Sequence, residues 1–596
     1  MKTANFKKIS IIDWDVHPHI KANQEYLHRL SAEELLKAFY TEAGLFEPVR
    51  YAPTDYEGWE FTSCAIRGHF TGHYLSALAM AGKYLNDNRL AEKARYITDE
   101  MAKCQVENGG KWIMAFPEKY LNFLRDGKNF RVPVYVIHKV MMGLCDVWKY
   151  LEYAPAKDAV VKMADYLDDW SKAMTAEQLR KVINYESGGI VEPLGEVYAF
   201  TGEEKYKQLA DRFVRRDLFD RLINGEDGLT NMHANTTAPE AAAVARLYEI
   251  TGDEYYKRAA EAYYNCAIRR RGYFVTGGNN SGECYIPPYH QLARMGEMTQ
   301  EHCTSYNLVR LADFLYRWTE NVEYADYIER VTYNSLLAQN SIKTGTVSYF
   351  LPITGGGKKQ WQTETKDFSC CMGTSVQSNA SYFERILYAK ENTLIIGQLV
   401  WFDGVVSVGG QDVHLWFGKV NTCKDMTSMQ NYYLNEFSRP KVDVYKLFFD
   451  SESSVDFKLK IRIPTWAKNP EFFVDGERVN ASVDGGYVTY DLSGVKGEAE
   501  MRVERALRLE KMPDANLYAF IHGPKVLAGK INCERTLYGS STNPDDILRP
   551  YDENHWGGWS YNYYTKGQYE NFPVVPLCDI MDDTPFTIYF PIEEKK

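Results

Sequence analysis

The sequence predicts a mostly helical region over about residues 1–385, followed by an all-β remainder. Three observations predict it. Apolar residues recur at helical spacing behind recognisable helix starts. A helix-stop, helix-start motif repeats along the first part. Beyond Leu387 the chain changes to alternating and β-branched runs separated by Asp-Gly turns.

The elements follow in order. Ser31-Ala32-Glu33-Glu34 has the form of a capping box, and Leu35, Leu36, Phe39 and Tyr40 fall on one helical face behind it. Phe200-Thr201-Gly202-Glu203-Glu204-Lys205-Tyr206 is echoed about 50 residues later by Ile250-Thr251-Gly252-Asp253-Glu254-Tyr255-Tyr256. A weaker echo is Trp318-Thr319-Glu320-Asn321-Val322-Glu323-Tyr324. In the clear copies Gly stops one helix and acidic residues open the next. Repeated helical hairpins that need neighbours to bury their apolar faces form a closed toroid, of which an (α/α)6 barrel is one kind, or an open solenoid. From Leu387 on, Thr393–Ile396, Val405–Val408, Phe457–Ile463 and Tyr487–Tyr490 read as strands, with turns at Asp475-Gly476 and Asp484-Gly485-Gly486. This predicts a β-sandwich over 386–508 and a second small sandwich or β extension over 509–596.

At 596 residues the chain exceeds one ordinary core. Its net charge of -11 and lack of a basic stripe exclude nucleic acid as the expected partner. No apolar run reaches the roughly 20 residues of a membrane span, and Ile9–Ile12 is too short for a secretory core. The eleven cysteines are scattered, odd in number and without a CxxC, which speaks for reduced thiols and a cytoplasmic setting. Aromatic residues are plentiful, with 44 Tyr and 12 Trp, and their flat faces suit sugar rings as well as cores.

The chemistry-bearing residues centre on thiols. Cys370 and Cys371 are adjacent, in a stretch read as a loop after the Gly355-Gly356-Gly357 bend. Glu301 and Cys303 stand before a helix predicted over Thr304–Trp318. Three sulfurs and a carboxylate form a Zn2+ set, or else the thiols are buried structural residues. Glu283 lies in the Gly277–Cys284 run, read as a flexible loop that carries a carboxylate to a barrel mouth, where a glycosidase needs an acid/base. His69 and His73 share a helix face. His138 and His233 each read on their own as structural histidines, and Glu192 as a helix-start acid or an acceptor for a sugar hydroxyl.

These motifs together resemble the bacterial β-L-arabinofuranosidases of glycoside hydrolase families 127 and 146. The resemblance runs over nearly the whole chain: Gly68-His69 to Gly72-His73-Tyr74-Leu75-Ser76, His138-Lys139, Gly188-Gly189 to Glu192, His233-Ala234-Asn235-Thr236, and Gly282-Glu283. It continues through Glu301-x-Cys303-x-x-Tyr306-Asn307, Tyr349-Phe350-Leu351-Pro352, Phe368-x-Cys370-Cys371-x-Gly373, Arg462-Ile463-Pro464-x-Trp466 and His522-Gly523-Pro524. It implies an (α/α)6 barrel catalytic domain followed by β-sandwich domains, and zinc held by Glu301, Cys303, Cys370 and Cys371. It also implies a retaining mechanism, with Cys370 as nucleophile and Glu283 as acid/base, acting on a carbohydrate. His69, His138, Glu192, His233 and Tyr349 are the substrate-binding candidates it marks. A homodimer through the terminal sandwich is a further expectation by analogy. The chain departs from the pattern at Gln377-Ser378-Asn379, where closer relatives carry a Glu-Asn-His run, and at His302 and Cys284. The alternatives are the same mechanism on another rare sugar, or a catalytically silent sugar-binding protein with structural zinc.

Overall fold

A computed structural model of the chain describes residues 1–45, 56–186, 189–420, 442–550 and 562–594. Among these, sixteen α-helices lie between His17 and Ala380, and β-strands dominate from Leu387 onward. No helix among the described residues is long and apolar enough to cross a membrane.

The helix punctuation read from the sequence has physical counterparts. Ser31 caps the helix Ala32–Glu42 by accepting from the Glu34 N–H at 3.2 Å. The reciprocal half of the box is replaced, because the Ser31 N–H donates to the Tyr56 hydroxyl at 2.7 Å. Gly202 and Gly252 end Val191–Thr201 and Ala234–Thr251 with φ of 71° and 72°. Asp253 then caps Glu254–Tyr264 through the Tyr255 N–H at 2.9 Å. In the third echo Glu320 takes the left-handed position (φ 55°) and Asn321 caps Val322–Val331.

The four predicted strands fall, but for Ile463, within Thr393–Ile396, Phe402–Val408, Val442–Arg462 and Tyr487–Arg505, all in one eleven-stranded sheet. Its main path runs Lys2–Thr3, Leu387–Lys390, Thr393–Ile396, Val442–Arg462, Tyr487–Arg505, Ala467–Val474, Glu477–Arg478. The chain start, read as part of the helical region, instead adds strands to this sheet. Phe6–Ile11 pairs antiparallel with Phe402–Val408, burying Phe6, Ile9 and Ile11. A six-stranded sheet comes next, from Leu507–Lys511 through Tyr518–His522 and Lys525–Gly529 to Pro573–Pro576, Tyr563–Thr565 and Leu548–Pro550. A short parallel pair, Leu537–Tyr538 with Ile592–Glu593, completes this part.

Buried charge fastens the β region to the helices. Arg462 is fully buried at a strand end, donates to Glu329 at 2.7 Å and pairs with Asp326 on the helix Val322–Val331. Trp466 donates to the other Glu329 oxygen at 2.8 Å. Arg330 holds Glu510 through two 2.9 Å bonds. Such pairs offset the several-kcal/mol cost of burying each ion only when nearly all their bonds are made, as the Arg462 set makes them.

Two helices that matter for the site, His69–Tyr84 and Pro133–Leu151, touch backbone to backbone. A Cβ on Gly72 would lie 2.2 Å from the Lys139 carbonyl carbon, and one on Gly143 would lie 2.5 Å from the Gly72 oxygen. Gly143→Ala is therefore expected to destabilise the fold by about 1–3 kcal/mol, read as a lower denaturation midpoint. Gly296→Ala, with nothing within 4 Å of the added carbon, should match the wild type.

Candidate functional site

Two helix N-termini converge at the centre of the site. Glu301 is the N-cap residue of His302–Thr319, which places Cys303 in its first turn. The Cys370-Cys371 pair, read from sequence as loop, opens the helix Cys370–Ala380. Ser369 caps that helix, accepting from the Met372 N–H at 3.4 Å. The Cys-Cys-Met-Gly-Thr-Ser run has weak helix propensity, and burial against other helices decides the conformation. All three thiols thus sit in first turns, where unpaired N–H groups and the helix dipole favour thiolate.

The ligand atoms of Glu301, Cys303, Cys370 and Cys371 all lie within 4.8 Å of one another, and all four residues are buried. The Cys303 and Cys371 sulfurs are 3.2 Å apart, and each sulfur of the adjacent pair is 3.9 Å from the same Glu301 oxygen. The other Glu301 oxygen accepts from Thr304 at 2.9 Å. Tetrahedral zinc, with Zn–S of about 2.3 Å, separates its ligands by roughly 3.5–4 Å, so the donor set fits such an ion in number and type, and its spacings, from 3.2 Å to within 4.8 Å, bracket that range. Hydrogen bonds from Cys303 and Cys371 hold the Cys370 thiol well below the usual thiol range. Burial pushes the Cys303 and Cys371 thiols and the Glu301 carboxyl well above theirs.

Glu283 stands beside this cluster on a rigid element. The run read as a flexible loop is a two-residue hairpin between Asn280–Ser281 and Cys284–Tyr285. Both turn residues, Gly282 (φ 54°) and Glu283 (φ 68°), have positive φ, as a type I′ turn requires. A left-handed Glu costs about 1–2 kcal/mol, and surrounding bonds enforce it. The Gly282 N–H donates to the Met298 carbonyl and the Ala234 N–H to the Glu283 carbonyl, both at 2.8 Å. The Glu283 carboxylate accepts from the Tyr349 hydroxyl, whose oxygen lies 3.2 Å from the Cys370 sulfur. One hydroxyl thus bridges carboxylate and thiol, which keeps them within two hydrogen bonds, roughly 6 Å. His233 Nε2 is 3.5 Å from the other carboxylate oxygen. Its Nδ1 accepts from the Thr236 N–H at 3.1 Å, so the ring proton of the neutral form is on Nε2 and points at Glu283. His233, and after it Tyr349, hold the Glu283 carboxyl below its ordinary range against the opposing effect of burial.

The remaining predicted residues divide. His69 is fully buried and packs against His73 and Tyr135, with Nδ1 donating to the Ile66 carbonyl at 2.9 Å and facing Glu60 at 3.1 Å. His138 and Glu192 instead line a charged cavity of about 220 Å³ inside the helices, together with His73 and Gln377. Glu192 is ion-paired to Arg310 there. Gln377, at the sequence departure, bonds His73 Nδ1. His302 contacts Thr374 at 3.2 Å, and burial holds its imidazole down to about 3. Cys284 is partly buried behind the hairpin, and burial raises its thiol. Sequence reasoning missed Thr374, whose hydroxyl lies 3.1 Å from the Cys303 sulfur. It stands within one helical turn of Cys371, which was the available signal.

Comparison with known proteins bears on this arrangement. Residues 15–384 match the family model described as beta-L-arabinofuranosidase, GH127 catalytic domain, and residues 422–499 match the GH127 middle domain. A solved GH127 beta-L-arabinofuranosidase from Geobacillus stearothermophilus T6 superposes with a TM-score of 0.72 at 17% identity, covering 99% of this chain and 100% of that one. A second solved protein, a GH127 beta-arabinofuranosidase, gives 0.73 at 15% identity over 99% and 98%. At these identities the likeness is one of fold. No curated protein matches the sequence.

The donor set generates a direct expectation. The purified chain should carry close to one equivalent of a thiophilic divalent metal by elemental analysis. Cys303→Ser and Cys371→Ser should lose most of it, while Cys533→Ser, far from the cluster, should retain it.

Proposed function

The chain belongs to the GH127 β-L-arabinofuranosidase family, and we propose that it is a retaining exo-glycosidase releasing terminal β-L-arabinofuranose from an oligosaccharide or glycoconjugate. The observation that carries this reading is the Tyr349 hydroxyl shared between Glu283 and Cys370. Retaining glycosidases set their two reacting groups about 5–5.5 Å apart, within the reach of that bridge.

In this reading Cys370 Sγ attacks the anomeric carbon as the bond to the leaving oxygen breaks, and Glu283 gives that oxygen its proton. Glu283 then takes a proton from water, whose oxygen displaces sulfur and frees the sugar with its anomeric configuration retained. The resting hydrogen bonds from His233 and Tyr349 suit the base half of this cycle. The acid half requires the glycosidic oxygen to replace one of those donors as substrate enters. Tyr349 and His233 orient the carboxylate, and we assign His69 to substrate binding through its neighbour His73. We assign His138 and Glu192 to substrate binding through the cavity wall behind the site. We assign Glu301, Cys303, Cys370 and Cys371 as the holders of Zn2+, which would supply a standing positive charge that keeps buried thiols deprotonated.

The sixteen helices and the fold likeness support an (α/α)6 barrel. We divide the chain into a catalytic domain at 1–385, a β-sandwich at 386–508 and a terminal β domain at 509–596. The ten cysteines among the described residues are free thiols, which suits a reducing cytoplasm.

Cys370→Ala should lower turnover of aryl β-L-arabinofuranosides by about 10⁴-fold or more, with the fold intact by circular dichroism. Full activity in that variant on every glycoside the wild type accepts would falsify the nucleophile assignment. A second expectation concerns pH. The basic limb of kcat/KM follows the free-enzyme acid, here Glu283. His233 lowers the pKa of that group, so His233→Ala should move the limb to higher pH. An unmoved or downward-shifted limb counts against Glu283 as the acid.

A further inference from the structure

Thr374 and His302 have no part in the reading above, yet they close the thiol cluster on the side of Cys303. Thr374 lies one turn into the helix Cys370–Ala380, and its hydroxyl oxygen is 3.1 Å from the Cys303 sulfur on the other helix. The same oxygen is 3.2 Å from His302 Nδ1. His302, Cys303 and Thr374 are all buried. The backbone of His302 is pinned as well, because its N–H donates to the Tyr349 carbonyl at 3.1 Å. His302 and Cys303 open one helix and Thr374 belongs to the other, so this hydroxyl joins the two helix N-termini that carry the metal donors.

Proton counting fixes the direction of these contacts. A hydroxyl has one proton to give and two lone pairs to accept with. A cysteine that holds a metal is a thiolate and has no proton. An oxygen 3.1 Å from that sulfur is therefore attractive only when the hydroxyl proton lies between them. The Thr374 oxygen is also 3.3 Å and 3.2 Å from the Cys370 and Cys371 carbonyls. The thiolate is the charged acceptor of the three, and charge-assisted bonds are about twice as strong as neutral ones. With its proton on sulfur, Thr374 can only accept from His302, so Nδ1 must carry a proton. That holds for the neutral ring and for the imidazolium alike. In the neutral ring the far nitrogen agrees, since Nε2 is buried without a partner among the described residues. A proton on Nδ1 leaves only a lone pair stranded there, whereas the other tautomer would strand an N–H, the rarer kind of orphan.

We propose that His302 and Thr374 form a relay of two hydrogen bonds onto the Cys303 sulfur, from Nδ1–H to hydroxyl and from hydroxyl to thiolate, with Thr374 as the positioning residue for that ligand. The relay stabilises charge on Cys303 and fixes the direction of its sulfur, as outer partners of metal ligands do. This rests on the reading of Cys303 as a metal ligand. Thr374→Val keeps the shape of the side chain and removes the hydroxyl, Thr374→Ser keeps the hydroxyl, and His302→Phe keeps a ring and removes Nδ1–H.

The test measures Zn2+ affinity by chelator competition, the thiolate-to-metal charge-transfer band after Co2+ substitution, and melting temperature. It compares wild type, the three variants, the Thr374→Val/His302→Phe double variant and Cys303→Ser. Thr374→Val should bind Zn2+ about tenfold or more weakly, the usual loss for an outer partner of a metal ligand. Its band should move to longer wavelength, because sulfur lone pairs relieved of a hydrogen bond lie higher in energy. Thr374→Ser should match the wild type in both. His302→Phe should move the band in the same direction, and the double variant should not exceed Thr374→Val, since His302 acts only through the hydroxyl. Additive effects in the double variant overturn the part given to His302. An unmoved band in Thr374→Val with affinity within twofold of wild type, while Cys303→Ser loses the metal, overturns the relay and leaves the metal site standing. A lower melting temperature with the band in place overturns the relay equally. Full metal content in Cys303→Ser overturns the metal site, and the relay with it.

Discussion

Everything at the site depends on three thiols and a carboxylate being forced together in a buried space. The Cys303 and Cys371 sulfurs approach to 3.2 Å, and Glu301 completes the group. Four such groups cannot all ionise in a buried space, because the effective cost of each unpaired buried charge is several kcal/mol. The protein can protonate most of them or neutralise them with a cation. Its own contribution is the pair of helix N-termini, each worth about half a unit of positive charge. That favours one thiolate well and three poorly. The remaining charge deficit is the physical case for a divalent metal, and it is drawn from this chain's own residues.

The second constraint is rigidity around the cluster. Glu283 would be a mobile acid on a loop. On a clamped hairpin with a left-handed backbone its carboxylate has one place to be, and Tyr349 and His233 meet it there. Tyr349 in turn belongs to a segment braced by the C-terminal region. The Gly356 N–H donates to the Phe586 carbonyl at 3.0 Å, and the buried Lys359 ammonium donates to the Leu577 carbonyl at 2.9 Å. The β region therefore reaches the chemistry mechanically, by holding the strand-like stretch that carries the bridging hydroxyl.

Sequence alone made much of this legible. The vicinal cysteines, Glu-x-Cys and the Gly-Glu turn are local patterns, and the structure brings them into contact. The repeated Gly-acid punctuation translated directly into helix ends. What stayed hidden was set by distant contacts. Cys370 and Cys371 read as loop because their neighbours are poor helix formers, although Ser369 is a good cap. Phe6–Ile11 read as helical territory because its partner strand, Phe402–Val408, lies some 400 residues away. The ion pair of Glu192 with Arg310 was hidden because its partner is on another helix.

The departure at Gln377 also acquires a physical sense. Its side chain bonds His73 Nδ1, and an amide oxygen can accept that proton without drawing a second one onto the ring. A carboxylate at the same point would favour imidazolium. Burial, reinforced by the nearby Lys139, already holds His73 well below its usual range. The ring therefore stays neutral and its Nε2 is an unprotonated acceptor, buried and, among the described residues, unpartnered like that of His69. The two imidazoles face each other edge-on, their centroids 6.4 Å apart. Gln377 thus fixes the proton position of a histidine in a cavity whose wall also carries Lys139, Arg310 and Glu192, which ties the departing residue to the polarity of that wall.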